Sequence, residues 1–231
     1  GVAHLYNYQF DEAEDYFRKV VNKRGDYAGK ADAKWKLSQK IVRAMPGTPV
    51  SKKVALKEKI NKADLAVLFA EELKIGVLFD RMPIQNDGGF QTPGQADQTA
   101  TIATPNDANG HWAEAWIKDM IRYGIMDVEP DGNFYPDDTI SRAIYALAVQ
   151  RLLVVATRDE SLETRYFGEA QSRFSDVPSS HFAYNAMALC AERGIMQADV
   201  ITGRFQPTGN VTGADALLII RTLQTSLRMT F

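Results

Sequence analysis

The chain has 231 residues, 45% of them hydrophobic and 24% charged, which is enough apolar side chain for a sizeable core in one or two domains. A formal net charge of -2 argues against nucleic acid as a global partner, and no apolar run is long enough to cross a membrane. The single cysteine, Cys190, excludes internal disulfides and leaves the redox compartment open. Charge is unevenly spread: residues 1–84 carry 16 Lys/Arg against 11 Asp/Glu, and residues 85–231 carry 11 against 18. Solvated faces account for most such asymmetry; otherwise the basic half suits an anionic polymer or another subunit. The chain begins at Gly1 without a secretory leader, which an exported protein loses on maturation.

Helical patterns begin at once. Phe10, Ala13, Phe17, Val20 and Val21 recur at helical spacing, with acidic residues at the front and basic ones at the end, as the helix dipole favours. A second stripe, Ala33, Leu37, Ile41 and Ala44, predicts a helix that stops before Pro46-Gly47. At Ile60-Asn61-Lys62-Ala63-Asp64-Leu65, Asn61 is a good N-cap, and Asp64 is placed to reach back to the free amides. Leu65, Leu68 and Phe69 continue an apolar face behind that cap. Residues 83–109 are dominated by Pro, Gly, Asn, Asp, Gln and Thr, which cannot bury enough surface to offset their ordering entropy, so a linker is expected there.

An internal repeat follows. His111-Trp112 and His181-Phe182 each open a short amphipathic helix that stops at Gly124-Ile125-Met126 and at Gly194-Ile195-Met196. Each copy then crosses a polar loop to Phe134-Tyr135-Pro136 or Phe205-Gln206-Pro207. A second apolar helix begins at Ile140-Ser141-Arg142-Ala143 or Val211-Thr212-Gly213-Ala214. The expected stripes are Ala113, Trp116, Ile117, Met120 and Ile121 in one first helix, and Ala183, Ala186, Met187 and Cys190 in the other. Gly124 and Gly194 sit where a left-handed residue ends a helix. A two-helix unit cannot bury both its stripes alone, so the units must pack together. The charged stretch 157–173 between the copies is expected to hold at most a helical turn.

These marks resemble the S-layer homology (SLH) modules. That family's pattern runs Phe-x-Asp-Val, His-Trp-Ala, Gly-Ile followed by Ile, Val or Met, Asp-Gly-x-Phe-x-Pro, then Ile or Val followed by Thr-Arg-Ala-Glu. Phe174-Ser175-Asp176-Val177 carries its opening and Asp131-Gly132-Asn133-Phe134-Tyr135-Pro136 its middle. The resemblance covers residues 104–156 and 174–225, and residues 27–82 read as a degenerate third unit in which Lys62 stands where the motif Arg would; an ordinary capped helix is the other reading of that segment. Residues 1–26 resemble part of a tetratricopeptide repeat, with Gly1 falling midway through its first helix and a longer polypeptide expected upstream. A plain helical hairpin accounts for the same residues.

The resemblance implies a mainly α fold: helix–loop–helix units packed as a pseudo-threefold bundle behind an N-terminal helical hairpin. It also implies grooves between units that dock an anionic, often pyruvylated, cell-wall polysaccharide. Carried over, the groove residues are Arg142, Trp112, Phe182 and Asp176, with Lys62 in the degenerate unit. Arg suits the task because its planar fork donates two parallel hydrogen bonds to a carboxylate. Departures from the pattern are Gly213 for the motif Arg, Ile144 for the motif Glu, and Asn106 for the opening Asp. The implied function is a non-catalytic, extracytoplasmic envelope module that anchors a larger protein to acidic cell-wall glycan or peptidoglycan. The alternative is a scaffold or adaptor in a periplasmic or surface assembly that grips other envelope proteins through its N-terminal helices.

No cofactor, metal or catalytic residue is expected. Asp127, Glu129, Asp131, Gly132 and Asp138 fit an EF-hand spacing, but Pro130 interrupts it and the Asp-Gly-x-Phe-x-Pro turn explains the same residues. His111 and His181 have no cysteine or carboxylate at metal-ligand spacing and read as helix-start packing. There is no nucleophile elbow, phosphate loop or paired-acid motif. Asn210-Val211-Thr212 matches a glycosylation sequon at a helix start and is read as incidental.

Overall fold

The computed structural model describes residues 1–80 and 104–228, and among these the protein is mainly α-helical. The linker expected at 83–109 falls mostly outside the described residues. Helices α1 (Val2–Tyr6), α2 (Phe10–Asn22) and α3 (Ala28–Ala44) pack in succession. Leu5, Phe10, Ala13 and Phe17 fill their interface, while Val20 of the predicted stripe is exposed.

The buried face of α3 is rotated from the predicted one. Ala31, Ser38, Ile41 and Ala44 are buried, Leu37 is half-buried, and Ala33 is exposed. The reason is a second neighbour: α3 packs on α2 and also on the last helix, α10 (Gly213–Arg228), so two contacts set its inward face. Ser38 is tolerated at full burial because its hydroxyl donates to the Lys34 carbonyl at 2.9 Å. The helix ends before Pro46-Gly47 as expected, with Met45 in the left-handed region at φ 44°.

A short helix, α4 (Pro49–Ala55), stands where none was expected. Thr48 caps it by accepting from the Ser51 amide at 3.2 Å, and Pro49 occupies the first turn, where its missing N–H costs nothing. Then come α5 (Lys62–Leu73), α6 (Ile75–Asp80), α7 (Glu114–Arg122), α8 (Arg142–Thr157), a 3-10 turn (Glu160–Glu163), α9 (Tyr184–Glu192) and α10.

Three short segments, each leading into a long helix, meet at the centre. The Ile140 amide donates to the Ile60 carbonyl at 3.1 Å, and the Ile60 amide donates to the Val211 carbonyl at 3.0 Å. Antiparallel bridges join Asn61 to Thr139 and Ser141 to Asn210. All three apolar residues, Ile60, Ile140 and Val211, are buried at this junction. The helices α5, α8 and α10 begin just after it, and each packs beside another helix: α5 on α7, α8 on α9, and α10 on α3. Around that circuit each long helix leans on the first helix of the next hairpin, and the last returns to α3.

Capping follows the sequence pattern. Asn61 and Asp64 form a reciprocal capping box, Ser141 accepts from Ile144 at 3.3 Å, and Thr212 accepts from Asp215 at 3.1 Å. Gly124 and Gly194 adopt φ of 68° and 66°, and the amides of Ile125 and Ile195 fold back to the Met120 and Cys190 carbonyls at 2.9 and 2.8 Å. Such Schellman closures need a residue that tolerates the left-handed region, which glycine does without strain.

The charged stretch between the repeats is a cover rather than a connector. Leu162 in the 3-10 turn is buried, and its carbonyl accepts from Asn185 at 2.7 Å and from Gln150 at 3.3 Å. With α8 on one side and this cover on another, α9 is buried all round from Tyr184 to Cys190, wider than the predicted stripe.

Candidate functional site

The seams between hairpins are built from the Phe-x-Pro loops, and an aspartate pins each loop. Asp176 accepts from the Phe205 and Gln206 amides at 2.8 and 2.9 Å. In the first repeat Asp107 does the same for the Phe134 and Tyr135 amides at 2.8 and 2.6 Å. Asp107, not Asn106, is therefore the counterpart of Asp176. Asp107 lies four residues before His111 whereas Asp176 lies five before His181, and a fixed offset between the copies misses that gap. Burial works against the Asp176 charge, yet the two amides win and hold its pKa below the usual aspartate value. Its role is to shape the loop.

Each pinned loop presents a carbonyl to a cation at the start of a long helix. Arg142, the first residue of α8, donates from Nε to the Phe205 carbonyl at 2.8 Å and from Nη2 to the Gln197 carbonyl at 2.9 Å. Its guanidinium lies 4.7 Å from the Phe205 ring centroid, a cation–π arrangement. Burial lowers its pKa against the opposing pull of Asp215, and it stays charged. No carboxylate lies within ion-pair distance of Arg142 among the described residues. Lys62, at the start of α5, repeats the geometry in the other seam: Nζ donates to the Phe134 carbonyl at 3.1 Å and sits 5.5 Å from that ring. Lys62 also bonds Glu129 at 3.0 Å. A cleft of about 230 Å³ opens beside it, walled by Met126, Phe134, Ile144 and Leu147 and by a second ion pair, Arg151 with Asp127 at 2.7 Å.

The third seam is filled. Gly213 begins α10 where the others place Arg142 and Lys62, and its amide donates to the Lys57 carbonyl at 2.9 Å. The end of α4 lies directly against it, with Val54 and Ala55 buried. No side chain fits at position 213, so the start of this long helix carries no cation.

Of the five residues carried over from the pattern, Arg142 and Asp176 meet at the Phe205 peptide and Lys62 stands in the neighbouring seam. Trp112 and Phe182 are surface aromatics, 51% and 69% exposed. The Trp112 ring packs on His111 and Trp116, and Phe182 stacks on His181 with centroids 4.6 Å apart. Trp112 is not among the residues walling the Lys62 cleft. Both histidines act at helix starts, where Nδ1 accepts from the Ala113 amide at 3.2 Å and from the Ala183 amide at 3.1 Å. Three carboxylates of the EF-hand-like run are engaged elsewhere: Asp127 with Arg151, Glu129 with Lys62, and Asp131 with Asn133 and Tyr135. Sequence reasoning passed over Glu129, Asp127 and Arg151 as groove residues. The signal present was Arg151 itself, a charge at helical spacing with Ile144, Leu147 and Ala148 in an otherwise apolar helix.

The S-layer homology domain matches residues 106–143 and 173–217. The chain is 30% identical over 96 residues to a cellulosome-anchoring protein of Acetivibrio thermocellus, covering 41% of this chain and 20% of that one. It is 34% identical over 115 residues to an uncharacterized cell wall amidase of Bacillus anthracis, covering 49% and 20%. It is 29% identical over 123 residues to the surface-layer 125 kDa protein of Lysinibacillus sphaericus, covering 52% and 9%. The matched stretch spans a fifth or less of each relative's length. Two stretches of the chain, residues 106–143 and 173–217, are thus similar to the S-layer homology domain.

Proposed function

We propose that this chain is a non-catalytic module of the bacterial cell envelope that holds a larger protein or assembly to cell-wall glycan through the seams between its hairpins. The observation that carries this reading is Arg142: a half-buried guanidinium, fixed by two backbone carbonyls and an aromatic ring, with no carboxylate partner among the described residues. An acidic sugar substituent is the counter-charge such a group lacks. The names of the cellulosome-anchoring and surface-layer relatives support a place at the cell surface, and among the described residues no helix is long and apolar enough to cross a membrane.

In the same reading, α3 and α5 form a degenerate third unit within residues 27–82, α3 taking the place of α7 and α9. The packing of α10 on α3 supports this. Protein partners are assigned to the N-terminal helices, where Tyr6, Tyr16 and Tyr27 are 60%, 48% and 73% exposed; a scaffold role resting on these helices is the second reading.

The test is retention on purified cell-wall sacculi, with and without their acidic polymer. Wild-type protein is expected to be retained only when the polymer is present. Arg142→Ala should weaken retention roughly ten- to a hundredfold, the range for losing charge-assisted hydrogen bonds, and Arg142→Lys should recover part of it. Absence of wild-type retention on polymer-bearing sacculi overturns the anchor and favours the scaffold.

A further inference from the structure

We infer that Glu129 is a built-in counter-ion that closes the Lys62 cleft to acidic ligands, so that of the two cationic seams only the one at Arg142 accepts an anion. This rests on the anchoring function proposed above and specifies which seam performs it.

The two seams share a backbone design and differ in charge. Lys62 and Arg142 occupy equivalent helix starts and bond equivalent carbonyls, of Phe134 and Phe205. Beside Lys62, however, stand two complete ion pairs, Lys62–Glu129 at 3.0 Å and Arg151–Asp127 at 2.7 Å. The four charges around that cleft cancel. An incoming carboxylate there must displace Glu129, which already sits at the Lys62 Nζ with the loop's own geometry to hold it.

At the Arg142 seam each of these acids is replaced or turned away. Gln197 stands in the place of Asp127 and offers its backbone carbonyl to Arg142. Thr222 stands in the place of Arg151. Asp199 stands in the place of Glu129: the Glu129 amide donates to the Asn133 carbonyl at 2.8 Å and the Asp199 amide to the Arg204 carbonyl at 2.9 Å, each closing its loop, the second one residue longer. But the Asp199 carboxylate accepts from the Ile201 amide at 3.1 Å and from the Thr202 amide and hydroxyl, each at 2.8 Å. It caps its own turn and leaves the guanidinium alone. The other acids facing Arg142 are already engaged, Asp215 by Lys40 at 2.7 Å and Asp176 by the loop amides. What matters is thus the fate of one carboxylate at equivalent positions of two loops that differ by one residue in length, paired with a cation in the first and tied to its own turn in the second.

The experiment is calorimetric titration of the full chain with a methyl-capped monosaccharide bearing a pyruvate ketal. Wild type is expected to show a single binding event, which Arg142→Ala removes. Glu129→Gln, a half-exposed position whose backbone bond is untouched, should add a second event, with affinity at Lys62 raised by up to roughly fivefold as the competing ion pair is lost. Glu129→Gln combined with Arg142→Ala should therefore still bind, and adding Lys62→Ala should abolish that binding. A folded Glu129→Gln protein whose stoichiometry equals wild type's overturns the inference while leaving the anchor intact, and so does a wild type that binds at both seams. Failure of wild type and Glu129→Gln alike to bind the probe overturns the anchoring function and this inference together.

Discussion

A Cβ placed on Gly213 would meet the carbonyl oxygen of Val54 at 1.8 Å and its carbonyl carbon at 2.6 Å. The missing motif arginine is therefore a packing requirement. Backbone cannot yield as a flexible side chain does, so Gly213→Ala should destabilise the protein by about 3 kcal/mol or more, the range for severe core strain. Urea unfolding measures it, and a change under about 1 kcal/mol contradicts the contact.

The loop-pinning aspartates predict paired effects. Asp107→Ala and Asp176→Ala each leave two loop amides without their acceptor and should each cost about 2 kcal/mol in the same unfolding measurement. The neighbouring position is not equivalent: Asn106→Ala touches neither clamp and should be near neutral.

Acid should expose the same clamp. The folded pKa of Asp176 lies below its unfolded value, so its contribution is fully present above the unfolded value and is lost as pH falls through the folded one. Stability measured from about pH 5 down to about pH 2 should therefore fall more steeply in wild type than in Asp176→Asn. Parallel curves would show that the carboxylate charge contributes nothing.

Glu72 and Arg221 tie the last helix to the first half of the chain. The Glu72 side chain is 3% exposed, bonds Arg221 at 2.7 Å, and accepts from the Gly47 amide at 2.8 Å. Arg221 also donates to the Ala44 and Met45 carbonyls at the end of α3. Arg221→Ala strands a buried carboxylate and should cost about 3 kcal/mol, whereas Arg221→Met with Glu72→Gln should recover much of that loss. Equal loss in single and double variants would place the effect in packing alone.

Cys190 offers a chemical readout of folding. Burial pushes its thiol up to about 12, and its Sγ faces the Ala146 carbonyl. A thiol-reactive reagent near neutral pH should leave the native protein unmodified and label it only as it unfolds. Rapid labelling of the native state contradicts the packing of α9 against α8.

Much of this was legible in the residues. The helix caps at Asn61, Ser141 and Thr212 and the glycine closures at Gly124 and Gly194 depend on local chemistry, which a sequence displays. The buried face of α3 was misplaced because α10, 175 residues away at the Lys40–Asp215 contact, decides it. The helix α4 was missed although Thr48-Pro49 is a good start signal, because its seven residues carry too short a pattern to stand out. Asp107 was missed through a one-residue gap, and Glu129 because nothing local says whether a carboxylate will cap its own turn, as Asp199 does, or cross to a lysine 67 residues away.

In a row of stacked repeats each unit touches only its neighbours, so the two ends never meet. Here the Ile60 amide finds its acceptor in Val211, and α10 lies against α3, so the last hairpin is a neighbour of the segment 28–60. Cutting the chain before α9 would shorten nothing harmlessly: it would remove the helix that packs on α3 and the Val211 carbonyl that the Ile60 amide needs. Melting should accordingly proceed as a single step across all the hairpins, in the manner of a barrel stave lost rather than a stack made one coin shorter.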